Sequence, residues 1–292
     1  MSKLKLSKLI LRDGRTLAWR EYGITNGGFP IVFMHGNLNS ALYQPAWSKT
    51  TEQATAAGAR VFALDRPGYG ETSSHSNRTY LDWAKDVQEL VNSLSLGPFA
   101  IIGYSSGGPH ALACAAAANL FPQLKCCSLI SSDAPYYKLG MNKQMYGQDQ
   151  VTLEYALERA KINEANMIQS YKSMSKPERV DIALADITHS TKYGLLGAAS
   201  DSVLEASIDW GYDLNDVKVN NISLQLWHGT EDHDVPISAG DYMSSTLGGK
   251  FTRIEGESHT LIRRHWQTIL SDTVEVATAS KSTESTTMGT KL

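Results

Sequence analysis

Pro98-Phe99-Ala100-Ile101-Ile102-Gly103-Tyr104-Ser105-Ser106-Gly107 is the stretch on which the fold reading turns. An apolar run leads into a G-x-S-x-G turn, Gly103 to Gly107, and the alanine-rich segment Ala111 to Ala118 follows. Strand, tight turn and helix in that order describe a nucleophile elbow. Such a turn holds its serine in a strained backbone conformation, and the flanking glycines let strand and helix approach closely. The Ser105 hydroxyl is therefore expected at the carboxyl edge of a sheet, with a helix N-terminus directly below it. A hydroxyl presented in this way is placed to attack an electrophile.

Working outward, Ile31-Val32-Phe33-Met34 ends in His35-Gly36-Asn37, and Arg60-Val61-Phe62-Ala63-Leu64 ends in Asp65-Arg66-Pro67-Gly68-Tyr69-Gly70. Continuous apolar runs suit parallel strands buried on both faces. Leu4 to Leu11 and Thr16 to Tyr22 read as strands joined by the turn Asp13-Gly14. From Tyr80 the spacing turns helical, with Leu81, Ala84, Val87, Leu90, Val91 and Leu94 on one stripe. Cys126 to Ile130, Ile222 to Trp227 and Phe251 to Ile254 supply further strands, and a last helix is expected from about Leu261. This alternation predicts an α/β fold with a mostly parallel, doubly wound sheet and helices on both faces.

The alternation breaks between about Ala134 and Val219. Glu154 to Ala160 and Val180 to Leu184 read as helices without intervening strands, the second opened by Pro177 at its first turn. The predicted organisation is a core of residues 1–134 and 220–277, with a helical cap inserted at 135–219 over the carboxyl edge. Residues 278–292, rich in Ser and Thr, are expected to form a disordered tail.

Composition sets the outer bounds. The chain has 292 residues, 42% hydrophobic and 20% charged, as a soluble globular protein with a sizeable core requires. A net charge of −3 gives no electrostatic reason to expect nucleic acid as a partner. Cys114, Cys126 and Cys127 lie in apolar segments and are expected to be reduced core residues. With no N-terminal apolar h-region and no 18-residue apolar run, neither secretion nor a membrane span is expected. Cytoplasm is the expected location; the terminal Thr290-Lys291-Leu292 is a weak variant of the peroxisomal Ser-Lys-Leu signal.

A serine is a weak nucleophile at neutral pH and needs an adjacent base held in the right tautomer by a third group. His259, between the last strand-like run and the last helix, sits where a loop can hang over the presented serine. For the acid, the turn Gly229-Thr230-Glu231-Asp232-His233-Asp234-Val235-Pro236 follows an apolar run. Asp232 is its first candidate, with Glu231 and Asp234 as local rivals. Asp133, at the end of the preceding strand, is a more serious rival because it too lies at a carboxyl edge. His228, Asp232, His233 and Asp234 crowd together without a metal-ligand spacing, so no metal is predicted. The backbone N–H groups of Asn37 and Ser106 are candidate oxyanion donors.

Taken together, these pieces resemble the α/β-hydrolase superfamily over residues 10 to 275. The resemblance rests on His35-Gly36-Asn37, Asp65 to Gly70, the elbow extended by Gly108-Pro109, the Gly229 to Pro236 turn, and His259. It implies an eight-stranded sheet, a cap at the insertion, a Ser105–Asp232–His259 triad, and oxyanion donors at Asn37 and Ser106. Members that open epoxides or remove halides carry aspartate at the elbow, so Ser105 argues against both. Ser106 departs from the bulkier residue or glycine common in related elbows and is expected to narrow or polarise the pocket floor.

The expected function is a serine hydrolase of a small-molecule carboxylic ester, working through an acyl-enzyme with no metal or organic cofactor. Lactonases, amidases, aminopeptidases and carbon–carbon bond hydrolases use the same triad, and a non-catalytic small-ligand receptor is the alternative from another class. Activity is expected to fall as pH drops through roughly 6 to 7, where the histidine base takes up a proton. Tyr104, with the cap residues Tyr136, Tyr137, Met141 and Met145, is expected to line a moderately apolar pocket.

Overall fold

A computed structural model describes residues 5–220 and 222–279. Its strands are β1 (Leu6–Ile10), β2 (Thr16–Gly23), β3 (Phe29–Met34), β4 (Ala59–Leu64), β5 (Phe99–Tyr104), β6 (Leu124–Ile130), β7 (Ser223–Gly229) and β8 (Lys250–Ile254). They form one eight-stranded sheet in the order β1-β2-β4-β3-β5-β6-β7-β8. β2 runs antiparallel to β1 and to β4, and every other pairing is parallel. The hairpin turn at Asp13-Gly14 joins β1 to β2, with Gly14 at φ +87°.

The continuous apolar runs have a direct physical reason. Successive side chains of a strand point to opposite faces, so a strand covered on both sides must be apolar at every position. Val32, Met34, Phe99 and Ile101 join one core, while Ile31, Phe33, Ala100 and Ile102 join the other. The first core is closed by α2 (Tyr80–Ser93), α3 (Gly107–Ala116), α8 (Leu214–Val219) and α9 (Ile237–Leu247). The second is closed by α1 (Thr50–Ala56) and α10 (Ile262–Ala279), whose Trp266, Ile269 and Leu270 are fully buried. α2 starts at a capping box: Thr79 accepts from the Asp82 N–H and Asp82 returns the bond to the Thr79 N–H.

Among the described residues, the chain between β6 and β7 forms helices and no strand: α4 (Asn142–Tyr146), α5 (Leu153–Lys172), α6 (Pro177–Ser190), α7 (Leu196–Glu205) and α8. Pro177 occupies the first turn of α6. α5 packs on both α6 and α7. Cys114, Cys126 and Cys127 are free and buried. Among the described residues, no helix is long and apolar enough to cross a membrane. α10 runs to Ala279, so residues 278 and 279 are helical where a disordered tail was expected. The rest of that tail, with Thr290-Lys291-Leu292, lies outside the described residues, as does Leu4 at the start of the expected first strand.

Candidate active site

The ends of β3, β5 and β6 converge, and each is followed by a non-glycine residue in the left-handed region: Leu38 (φ +56°), Ser105 (φ +52°) and Ser131 (φ +43°). Such conformations cost roughly 1–3 kcal/mol each and persist only where surrounding contacts over-determine them. At the elbow those contacts are specific. The Ser105 N–H donates to the Ile130 carbonyl at 3.0 Å, and the Ser105 carbonyl accepts from the Gly108 N–H at 2.8 Å. A Cβ on Gly103 would stand 2.6 Å from the Gly107 carbonyl oxygen, and one on Gly107 would stand 2.2 Å from that of Met34. The glycines of the motif are therefore required by packing.

This turn presents the Ser105 hydroxyl to the His259 ring, with Oγ 3.0 Å from Nε2. On the other side of the ring, Nδ1 lies 2.9 Å from Asp232 Oδ2 and 3.1 Å from Oδ1. Asp232 Oδ1 also accepts from the backbone N–H groups of Asp234 (3.0 Å) and Val235 (2.8 Å), which fixes the carboxylate in the turn after β7. The backbone of His259 is held as well, its carbonyl accepting from Ser131 Oγ at 3.1 Å.

The electrostatics follow from these partners. Burial alone would push the Asp232 pKa up, but the bond to His259 and its charge, with the Val235 N–H, outweigh it and hold the carboxyl below its ordinary value. Burial opposes charge on His259 too, yet the Asp232 bond, with Asp234 and Asp133 nearby, raises its pKa above the usual 6.5. A pH limb governed by this ring is therefore displaced to higher pH.

Asp133 has a different partner. It accepts from the Tyr136 hydroxyl, and among the described residues it makes no bond to His259. Burial raises its pKa to about 6, against the opposing pull of that bond. Asp232, Asp234 and His259 bring potential ligand atoms within 4.8 Å of one another. The Asp232 oxygens of that trio are already engaged by two N–H groups and the ring.

Asn37 lies just beyond β3, and Ser106 starts α3. Among the described residues neither backbone N–H donates to another protein group, so both remain available to an oxyanion. The Ser106 side chain does not face the pocket floor as expected. It is buried, stands outside the cavity lining, and accepts from Arg66 Nη2 at 2.9 Å.

Ser105 and His259 open onto a cavity of about 970 Å³. Of the expected pocket residues, Tyr104 and Met145 line it. Three do not. Tyr136 is fully buried and turned to Asp133, Met141 packs against the main core, and Tyr137 is 45% exposed at the surface. Tyr136 and Met141 are spent on the core while Tyr137 turns outward, and much of the cavity wall comes instead from α5. That wall is also more polar than expected, with Arg159, Asn163, Asn166, Ser170 and Arg179 facing in. The polar residues recur every three or four positions along α5 between Ala156, Ala160 and Met167, a legible sign of a helix face that meets water or ligand.

Sequence reading also missed what stands behind the elbow. Asp201 of α7 is fully buried and bonds Arg66 Nη2 at 2.5 Å, Tyr69 Oη at 2.7 Å, and Arg78. Arg66 in turn donates to the His35 carbonyl and to Ser106. The Asp65 to Gly70 turn is thus the socket that ties the inserted helices to the elbow. Glu205, also on α7, is buried beside the cavity with one oxygen on Tyr146 at 3.2 Å and the other unpartnered. Its burial, with Asp133 and Asp201 nearby, raises its pKa well above the ordinary carboxylic value.

A family profile for the alpha/beta hydrolase fold matches residues 30–262. The chain belongs to the α/β-hydrolase family. Over 124 residues (41% of this chain, 30% of the other) it is 37% identical to the dihydrolipoyllysine-residue acetyltransferase component of the acetoin cleaving system of Pseudomonas putida. The aligned part spans about a third or less of the length of the curated relatives it matches. Solved structures share the architecture at low identity. One is a carboxylesterase of the thaumarchaeon Nitrososphaera gargenis, at TM-score 0.69 and 16% identity, covering 94% of this chain and 100% of that one. Another is an esterase of Rhodococcus sp., at 0.67 and 18%, covering 94% and 98%. At such identities the likeness is one of fold.

Proposed function

We propose that this α/β-hydrolase is a serine hydrolase of small-molecule carboxylic esters. The observation that carries the reading is the continuous relay from Ser105 Oγ through the His259 ring to Asp232, at 3.0 and 2.9 Å, opening onto a cavity of small-molecule size. Ser105 Oγ attacks the acyl carbon as His259 Nε2 takes its proton. Asp232 keeps the ring in the tautomer with hydrogen on Nδ1 and stabilises the imidazolium. The N–H groups of Asn37 and Ser106 hold the tetrahedral oxyanion. Collapse expels the alkoxide, which receives the proton from His259, and leaves an acyl-serine. Water, deprotonated by the same ring, then attacks the acyl carbon to release the acid and restore Ser105. Structural likeness to esterases of Nitrososphaera and Rhodococcus supports an ester as the bond cleaved.

The test is hydrolysis of p-nitrophenyl esters from acetate to decanoate by the wild type and by Ser105→Ala. Turnover should fall by about 10⁴-fold or more in the variant, with the fold retained by circular dichroism. Turnover that survives the substitution would sink the mechanism. Ligand-induced stabilisation without turnover of any ester would favour a receptor.

A further inference from the structure

One part of the cavity wall carries cationic side chains that form no ion pair among the described residues. Arg263, in the first turn of α10 and four residues after His259, holds its guanidinium carbon 3.7 Å from the centroid of the Trp47 indole. It also lies 5.3 Å from the Tyr43 ring. Arg179, in the first turn of α6, lies 5.2 Å from the same indole. Lys176, the residue before Pro177, lines the cavity beside them. The N-terminus of this 14-residue helix therefore faces the same space, adding the positive end of its dipole. Arg264, one position along, is paired with Glu257. Among the described residues Arg179, Arg263 and Lys176 have no carboxylate partner.

Two guanidinia against one indole repel each other, and the site maintains the arrangement at a cost. Trp47 sits at φ +55°, in the left-handed region, which L-residues with bulky side chains rarely adopt. The site also connects to the reacting centre through a series of neighbouring rings. His259 lies 5.4 Å from Tyr104, and Tyr104 lies 5.6 Å from Tyr43, which in turn meets Arg263. Tyr43, Trp47, Tyr104, Arg179, His259 and Arg263 all line the one cavity.

The geometry points to an anion subsite: Arg179 and Arg263, aligned on Trp47, receive an anionic oxygen group of the substrate, carboxylate or phosphonate, while its ester lies at Ser105. Planar guanidinium forks match such groups bidentately. The substrate class is then an ester that carries a negative charge at some distance from the scissile bond. The reacting end of this assignment rests on the serine-hydrolase reading; the charged end does not.

Two measurements separate the two ends. In Ser105→Ala protein at low ionic strength, adipate and 4-phosphonobutyrate should each raise Tm beyond the effect of sodium chloride at equal ionic strength. The rise should vanish in the added variants Arg179→Gln and Arg263→Gln, and Arg179→Lys should restore part of it. In the wild type, kcat/KM for mono-p-nitrophenyl adipate should exceed that for methyl p-nitrophenyl adipate by about tenfold, with the difference in KM and eroded by salt. A Tm rise with one anion alone identifies which oxygen group the site takes. Anion binding without turnover of either ester would overturn the hydrolase reading and leave the subsite standing. No Tm rise with either anion, or a rise that persists in both Gln variants, overturns the subsite.

Discussion

At the scale of single residues, the two carboxylates near His259 make a sharp comparison. Asp232 contacts the ring directly, whereas Asp133 faces Tyr136. Asp232→Asn should lower kcat by about 10³–10⁴-fold, because the amide favours the wrong tautomer of the ring. Asp133→Asn should cost less than about tenfold, as expected of a group that acts only through the field it exerts. Steady-state kinetics of both variants decides between them. The pH profile adds a signed prediction. The base must be neutral, so kcat/KM should fall as pH drops through a value above 6.5, the direction in which Asp232 moves His259. Asp232→Asn should move that limb to lower pH. Ser105 and His259 were legible from sequence because each stands in a local pattern with its strand and helix attached. Asp232 and Asp133 were not separable, because both follow strands at the same edge. Only the direction of a side chain, set by the N–H groups of Asp234 and Val235, distinguishes them.

At the scale of elements, the insertion is held to the core by the charge cluster around Asp201. Burial would raise the Asp201 pKa, but Arg66 and Arg78 outweigh it and hold the carboxyl far below the ordinary range. Asp201→Asn leaves two buried guanidinia short of their counter-ion and should cost about 3–5 kcal/mol in urea denaturation. It should also loosen the elbow, since Arg66 supports both Ser106 and the carbonyl of His35. The pairing was not readable from sequence, since Arg66 and Asp201 stand 135 positions apart and Asp201 belongs to no local motif. Strands β3, β4 and β5 were readable because burial on both faces forces an unbroken apolar run. Helices α1 and α9 were not, because Thr50–Ala56 and Ile237–Leu247 mix Thr, Ser and Ala with few large apolar residues.

At the scale of the whole molecule, buried acids set the pH response of the fold. Asp186 accepts from Ser40 Oγ at 2.5 Å and Asn39 Nδ2 at 2.9 Å, and burial nevertheless raises its pKa to about 7. An acid whose folded pKa is raised stabilises the fold fully below its unfolded pKa of about 3.9, and that contribution is lost as pH rises toward 7. Asp201 and Asp232, with lowered values, act in the opposite sense and lose their contribution as pH falls below about 4. Asp186 therefore favours mildly acidic solution, whereas His35 and His110, whose pKa values burial lowers, act in the opposite sense and favour higher pH. Asp186→Asn, whose amide oxygen can still accept from Ser40, should gain Tm relative to the wild type as pH rises from 5 to 7 in a calorimetric series.

The Arg66–Asp201 contact carries one more consequence, for how a substrate enters. Swinging α7 away from the sheet would part the Asp201 carboxylate from the two guanidinia that it neutralises, so that side of the roof is bolted down. α6 is tied down as well, through buried Asp186 on Ser40 and Asn39 and through His189 on Asp65. Among the described residues α5 has no comparable charged tie to the core, and its inward face is polar enough to tolerate water. Breathing that admits a substrate should therefore be asymmetric. In hydrogen exchange, the amides of α5 should open well before those of α7, which makes the α5 side of the cavity its doorway.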